Sequence, residues 1–266
     1  MGFAKKAFMP GKSKGSKEPG GFVKLNIKIW AVVLWLVIWE VAARFIGQEI
    51  LLVSPVIVLL RFFQLAASVG FWEAVIFSFI RITGGFFCAL LIGILLAWTG
   101  SFFPLVKEMA APVMAAVKAI PVASFIILVL LWIPSRNLSF VISFLIVLPV
   151  IYTNILCGIE NIDKELLEMA EVFRVSCGRR IRYIYLPEIM SYFRAACSVA
   201  LGLCWKAGIA AEVIGMPSGS IGERLYEAKI YLETPDLLAW TLTIVLISIC
   251  FEKIFLFCVD KVAEME

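Results

Sequence analysis

The chain has 266 residues, of which 62% are hydrophobic and 17% charged, and its net charge is +4. A soluble domain carries about 45–50% apolar and about 25% charged residues, so this composition indicates an integral membrane protein. Histidine is absent, which excludes imidazole general bases and Ser-His-Asp or Cys-His nucleophiles and removes a common zinc ligand. The seven cysteines form no CxxC pair and are predicted to be small buried hydrophobes.

Residues 1–26 are predicted to be a basic, disordered tail. Seven lysines lie within the first 28 residues, and no apolar run of signal-peptide type precedes residue 29. Because much of the positive charge lies in this tail, the net charge of the chain indicates membrane topology and not a nucleic-acid partner. Residues 27–260 are predicted to form a single transmembrane domain in contact with the lipid bilayer.

Six stretches are apolar enough to cross a bilayer core of about 30 Å, which needs about 20 helical residues. They lie at about residues 27–46, 74–98, 119–133, 138–158, 192–214 and 237–258. The third is short and is expected to begin earlier, within residues 112–118. Residues 54–70 are predicted to form an interfacial helix. The fold class is therefore all-α, a polytopic membrane helical bundle.

The distribution of lysine and arginine predicts the orientation. Residues 159–190 hold five basic side chains, whereas residues 216–236 hold only Arg224 and Lys229. With six crossings, both termini and the connections at 99–118 and 159–190 are expected on the cytosolic side.

The connection at about 159–190 is predicted to be an amphipathic helix–turn–helix. Four apolar residues recur at i, i+3, i+4 and i+7 and define an apolar ridge, which comprises Leu166, Met169, Ala170 and Phe173. Gly178 is expected to form the turn, and Leu186-Pro187 to end the second helical turn. A helix of this kind outside the membrane must bury its ridge against its own bundle or in a partner's groove.

Residues 168–187, "EMAEVFRVSCGRRIRYIYLP", resemble the EAA loop of ABC-importer permeases, which opens Glu-Ala-Ala, carries a Gly six residues after the Glu, and closes Leu-Pro. The matching positions are Glu168, Ala170, Leu186 and Pro187. Met169 replaces the first Ala, and Arg174 stands where the Gly is usual, so Gly178 is expected to take over the turn. Residues 70–258 resemble the nitrate/sulfonate/taurine-type branch of these permeases.

This resemblance implies a permease subunit of a bacterial inner-membrane importer for a small polar or anionic solute. The loop would dock on a separate cytosolic ABC ATPase that binds ATP-Mg. This chain has no G-x-x-x-x-G-K-[ST] segment, so no cofactor and no enzymatic activity are expected in it. A second permease copy or a paralogue and an external substrate-binding protein would complete the complex. A secondary transporter or channel that works without an ATPase is the alternative.

Ionisable residues within the predicted spans need an explanation, because inserting each costs about 2.5–3.5 kcal/mol. Lys206 and Glu212 are candidates for lining the pathway, although a structural ion pair or an interfacial position is also open. Their six-residue spacing turns about 240° around a helix, so they are expected on different faces. Glu40 and Arg81 are expected near the outer boundary, where snorkelling and function are both possible.

Overall fold

The computed structural model describes residues 28–48 and 50–264, and within them the regular secondary structure is helical. The predicted tail, residues 1–26, lies outside the described residues. The helices are α1 (Ile29–Ile46), α2 (Pro55–Ala66), α3 (Val69–Phe102), α4 (Pro104–Ala119), α5 (Val122–Leu130), α6 (Ser135–Glu160), α7 (Lys164–Val172), α8 (Cys177–Arg180), α9 (Leu186–Gly215), α10 (Ile221–Ile230) and α11 (Thr234–Glu264), with a π-helical turn at Ile181–Tyr185 between α8 and α9.

The predicted membrane-spanning bundle is confirmed. In the described parts of the chain, five helices are long and apolar enough to cross a membrane, or six if the bent pair α4–α5 counts as one span. Helix α3 is much longer than the predicted span at 74–98, and its 34 residues extend about 51 Å. It therefore projects beyond a bilayer core of about 30 Å.

The third crossing differs from the prediction of one helix near 119–133. Helices α4 and α5 meet at an angle of 107°, and the chain between them is extended at Ile120 and Pro121. Proline disfavours helical conformation in the residue before it, which accounts for a break at this point. Since α5 has only nine residues, the pair forms either a broken span or a re-entrant loop and not a straight helix.

The core is built around α6, which packs most extensively against α9 and α3. Small residues let these helices approach closely. A Cβ added at Gly85 of α3 would lie 2.3 Å from the carbonyl oxygen of Phe140 in α6, so this crossing accepts only glycine without a backbone shift. Trp205 and Phe86 are among the largest fully buried side chains.

Pro187 does not end a helix, contrary to the prediction. The chain is helical without interruption from Cys177 to Gly215. A π-helical turn precedes the proline, and within it the Leu186 N–H donates to the carbonyl oxygen of Ile181, five residues back. Pro187 has no N–H to donate, and the wider turn gives the neighbouring backbone groups other hydrogen-bond partners. Local π-helical turns play the same part in other proline-containing membrane helices.

Helix α1 lies at the periphery. Ala43 is its one buried residue among those described, and its Glu40 accepts hydrogen bonds from Arg44 and from Ser54, which caps α2. Helix α2 in turn is held to the start of α11 by paired hydrogen bonds from Arg61 to Asp236. These bonds raise the pKa of Arg61 above its ordinary value, so the guanidinium stays charged.

Candidate coupling loop and pathway residues

Helix α7 follows α6 after only three residues. The Asp163 side chain caps it by accepting a hydrogen bond from the Glu165 N–H at 3.0 Å, which satisfies one of the free amides at the helix start. The helix then runs through Glu168 to Val172. The sequence therefore predicted both the existence and the position of this short helix.

The apolar ridge of α7 is largely uncovered. Ala170 faces the rest of the chain and is 2% exposed. Leu166, Met169 and Phe173 are 44%, 49% and 75% exposed. The bundle therefore covers one member of the ridge and leaves the three larger side chains accessible to a partner.

The turn after α7 is formed by Arg174 and not by Gly178. Arg174 has a φ of 52°, in the left-handed region. Its N–H donates to the carbonyl oxygen of Glu171, and the Val175 N–H donates to that of Ala170, both at 2.9 Å. These two bonds are a Schellman motif, which favours glycine at the left-handed position. Gly178 lies within α8, so the prediction that it takes over the turn was wrong.

The loop is connected directly to the two helices that pack most closely in the bundle. Helix α7 follows α6 in the chain, and α8 continues through the π-helical turn into α9. At this end of the bundle Lys107 of α4 bonds to Glu160, the last residue of α6. Arg194 of α9 makes a two-point contact with Asp260 of α11. A displacement of α7 would therefore act on α6 and α9 and, through these pairs, on α4 and α11.

Glu212 and Lys206 lie on different faces of α9, as their spacing predicts. Glu212 is fully buried, close to the end of α9 that is farthest from α7. Lys206 is exposed and lines a groove of about 410 Å³ between α9 and α11, opposite Glu252. Glu252 accepts a hydrogen bond from Ser198 at 3.1 Å. The pathway role of Lys206 and Glu212 stays a prediction.

Glu212 joins three helices. Its Oε2 accepts a hydrogen bond from Ser78 of α3 at 2.6 Å and one from the Gly222 N–H of α10 at 3.3 Å. Ser78 in turn accepts a hydrogen bond from the Ile221 N–H at 3.0 Å. The carboxyl group thus lies at the amino-terminal end of α10, where the helix dipole favours an acceptor. A Cβ at Gly222 would lie 2.3 Å from the Glu212 Cβ, so only glycine allows this approach.

The comparisons with known proteins fit this architecture. A family model described as "Binding-protein-dependent transport system inner membrane component" matches residues 89–262, which include the whole loop at about 159–190. The chain belongs to this family of ABC-importer permeases. Among curated proteins, the permease resembles the taurine transport system permease protein TauC of Escherichia coli, at 24% identity over 86% of this chain and 85% of the relative.

Two other relatives carry different transport names. The riboflavin transport system permease protein RibX of Chloroflexus aurantiacus is 28% identical over 82% of each chain. The nitrate import permease protein NrtB of Synechococcus elongatus is 27% identical over 73% of each chain. The prediction of a permease of the nitrate/sulfonate/taurine type is confirmed, and the alternative of a secondary transporter or channel is not supported.

No metal centre is formed by the described part of the permease, where His, Cys, Asp and Glu side chains make no group of three or more that could hold an ion. Three pairs of charged side chains instead bond between helices in this part of the chain. The residues that sequence reasoning missed are Ser78 and Gly222, the partners of Glu212. A weak signal for them is the pairing of a carboxylate at the end of a span, in "AAEVIG", with the small residues of "SGSIG" just after it.

Proposed function

We propose that α7 is the coupling helix of the permease and docks into a groove on a separate cytosolic ABC ATPase. The observation that carries this proposal is the exposed ridge of Leu166, Met169 and Phe173 on a helix outside the spans. Fully burying a large apolar side chain stabilises a contact by about 1.5–3 kcal/mol. Three partly exposed side chains therefore provide enough apolar surface for a specific but reversible contact.

Closure of the ATPase pair around ATP-Mg would move α7. Because α7 lies between α6 and α9 in the chain, its displacement would tilt these two helices together. The Schellman turn at Arg174 and the cap at Asp163 hold both ends of α7, so it would move as a unit. This movement would change which side of the membrane the pathway faces.

The remaining partners follow from this placement. The α7 end of the bundle would face the cytosol, with both chain termini on that side of a bacterial inner membrane. The opposite end, which includes α10, would meet an external substrate-binding protein. Six spans are few for enclosing a pathway, so a second copy or a paralogue would complete it. Taurine, nitrate and riboflavin occur in relatives' names, which supports a small polar or anionic solute as cargo.

The docking proposal is tested by Met169→Glu, which places a carboxylate on the ridge. Lys164→Glu is the matched control, because residue 164 lies five positions before Met169 and therefore about 140° around the same helix. Each tagged variant would be purified in mild detergent, and the co-eluting ATP hydrolysis would be measured.

We expect Met169→Glu to lower the co-eluting hydrolysis at least about tenfold, since desolvating an unpaired charge costs more than one hydrogen bond contributes. Lys164→Glu should retain hydrolysis at the level of the unaltered permease. Equal hydrolysis in the two variants would refute docking through the ridge. Equal thermal unfolding of both variants would show that neither change disturbs the bundle.

A further inference from the structure

A cleft at the bundle end opposite α7 contains a charged side chain that the coupling role does not use. The cleft has a volume of about 730 Å³ and is lined by Arg81 of α3, Asn137 of α6 and apolar side chains that include Phe77 and Phe140. Arg81 lies 12 residues from the first residue of α3, or about 18 Å along the helix axis. It is therefore well inside the helix and not at its tip.

The Arg81 guanidinium uses only a fraction of its donors. One Nη1–H donates to Asn137 Oδ1 at 2.7 Å, and the group stacks on Phe77 with Cζ 4.4 Å from the ring centroid. A guanidinium has five N–H donors, and among the described residues this is its one hydrogen bond. The salt bridges of the described residues involve other cations.

The surroundings of Arg81 add positive potential. Arg136 is close enough to repel it, whereas Glu212 attracts it from a distance while bonding to Ser78 and Gly222. The amino-terminal end of α6, which bears Asn137, has no side-chain cap and no acidic residue in its first turn. The partial positive charge of this helix end is therefore not offset locally.

We propose that the Arg81 cleft is a binding site for an oxyanion group, such as a sulfonate, carboxylate or phosphate, carried on a compact apolar body. The free guanidinium donors would bind the oxygens, because arginine matches planar and tetrahedral oxyanions with two parallel hydrogen bonds. The apolar walls would contact the body of the solute. This inference rests on the proposed transport function and names a site on this chain where its cargo would bind.

The same oxyanion chemistry is present in lipid phosphates, so the source must be distinguished. Arg81 reaches one helical turn towards the start of α3, over Phe77, and is held there by Asn137. The guanidinium therefore lies at the cleft that these residues line. The two lipid compositions used in the test distinguish a solute from a headgroup.

The test uses methanesulfonate as probe and its neutral analogue dimethyl sulfone as control, each with the permease in nanodiscs. Saturation-transfer NMR of the methyl protons detects weak binding directly. Discs of phosphatidylcholine alone are compared with discs that also contain phosphatidylglycerol. The variants are Arg81→Gln, Arg81→Lys and, as matched control, Arg44→Gln, which removes an exposed guanidinium paired with Glu40.

We expect methanesulfonate but not dimethyl sulfone to give a signal in both types of disc. Arg81→Gln should weaken binding about tenfold or more, because hydrogen bonds to charged groups are the strongest class. Arg81→Lys should retain part of the affinity, and Arg44→Gln all of it. Unchanged binding in Arg81→Gln would overturn the site.

Two further outcomes would also overturn the proposal. Methanesulfonate binding that disappears when phosphatidylglycerol is present would show that the cleft holds a lipid headgroup. Equal signals from dimethyl sulfone would show an apolar cleft without anion recognition. Co-elution of the ATPase is measured on the same samples, so a failed coupling proposal and a failed anion site give different results.

Discussion

The substitution Ser78→Ala tests whether the buried network at Glu212 holds α10 on the bundle. The Ser78 hydroxyl donates to Glu212 at 2.6 Å and accepts from the Ile221 N–H at 3.0 Å, and Ile221 is fully buried. Alanine removes both bonds and leaves the Ile221 N–H without its partner. Glu212 keeps the Gly222 N–H at 3.3 Å as a hydrogen-bond donor.

The size of the effect follows from these two lost bonds. A buried polar group left unpaired costs about 1–3 kcal/mol, and interhelical hydrogen bonds in membrane proteins contribute about 0.6 kcal/mol on average. We therefore expect the opening of α10 to become about 1–3 kcal/mol easier. Since about 1.4 kcal/mol is a tenfold change in an equilibrium constant, local opening should increase about 5- to 150-fold.

Hydrogen–deuterium exchange over residues 216–230 measures this opening directly, because exchange of a protected amide reports the free energy of local unfolding. Ser101→Ala is the matched control, since the Ser101 hydroxyl donates only to a carbonyl of its own helix, at Trp98. Ser101→Ala should leave exchange in α10 unchanged. Unchanged exchange in Ser78→Ala would refute the idea that the network anchors α10.

Three other substitutions test separate features. Arg174→Gly should stabilise the end of α7 by about 1 kcal/mol and slow its amide exchange about fivefold, because glycine adopts the observed φ of 52° without strain. Unchanged exchange would contradict the left-handed turn at this residue. Gly85→Ala should lower the free energy of unfolding by about 1–3 kcal/mol in a denaturant titration, since its Cβ would meet the Phe140 backbone. Gly202→Ala is the control, because a Cβ at that position meets nothing within 4 Å. Arg61→Gln should lower the free energy of unfolding by about 1 kcal/mol, because it removes the bond between α2 and α11. An unchanged melting temperature would argue against that contact.

The membrane helices could be predicted because hydropathy over about 20 residues is a local property of the sequence. The sequence indicates that Pro121, Pro134 and Pro149 interrupt or cap spans, but not that the chain bends at Ile120–Pro121 in particular. Whether a proline bends, caps or is accommodated depends on neighbouring helices, and Pro149 lies inside α6 without ending it. Pro187 shows the same point, since a π-helical turn absorbs it.

The candidate coupling loop could be placed from sequence because its period and its matching residues lie close together in the chain. Its turn was misplaced because glycine is the usual residue in a left-handed conformation at a helix end, which pointed to Gly178, whereas the structure puts Arg174 there. The Glu212 network could not be derived in the same way. Ser78 and Glu212 are 134 positions apart, and one sequence carries no information on such pairings.

The exposed ridge on α7 also bears on how cells handle subunits made in unequal amounts. If α7 docks as proposed, a permease copy without its ATPase would present Phe173, which is 75% exposed, to the aqueous phase, where chaperones and proteases bind apolar segments. Assembly would cover this side chain. Unassembled copies would then be degraded faster than assembled ones, and the supply of the ATPase would limit the abundance of the permease.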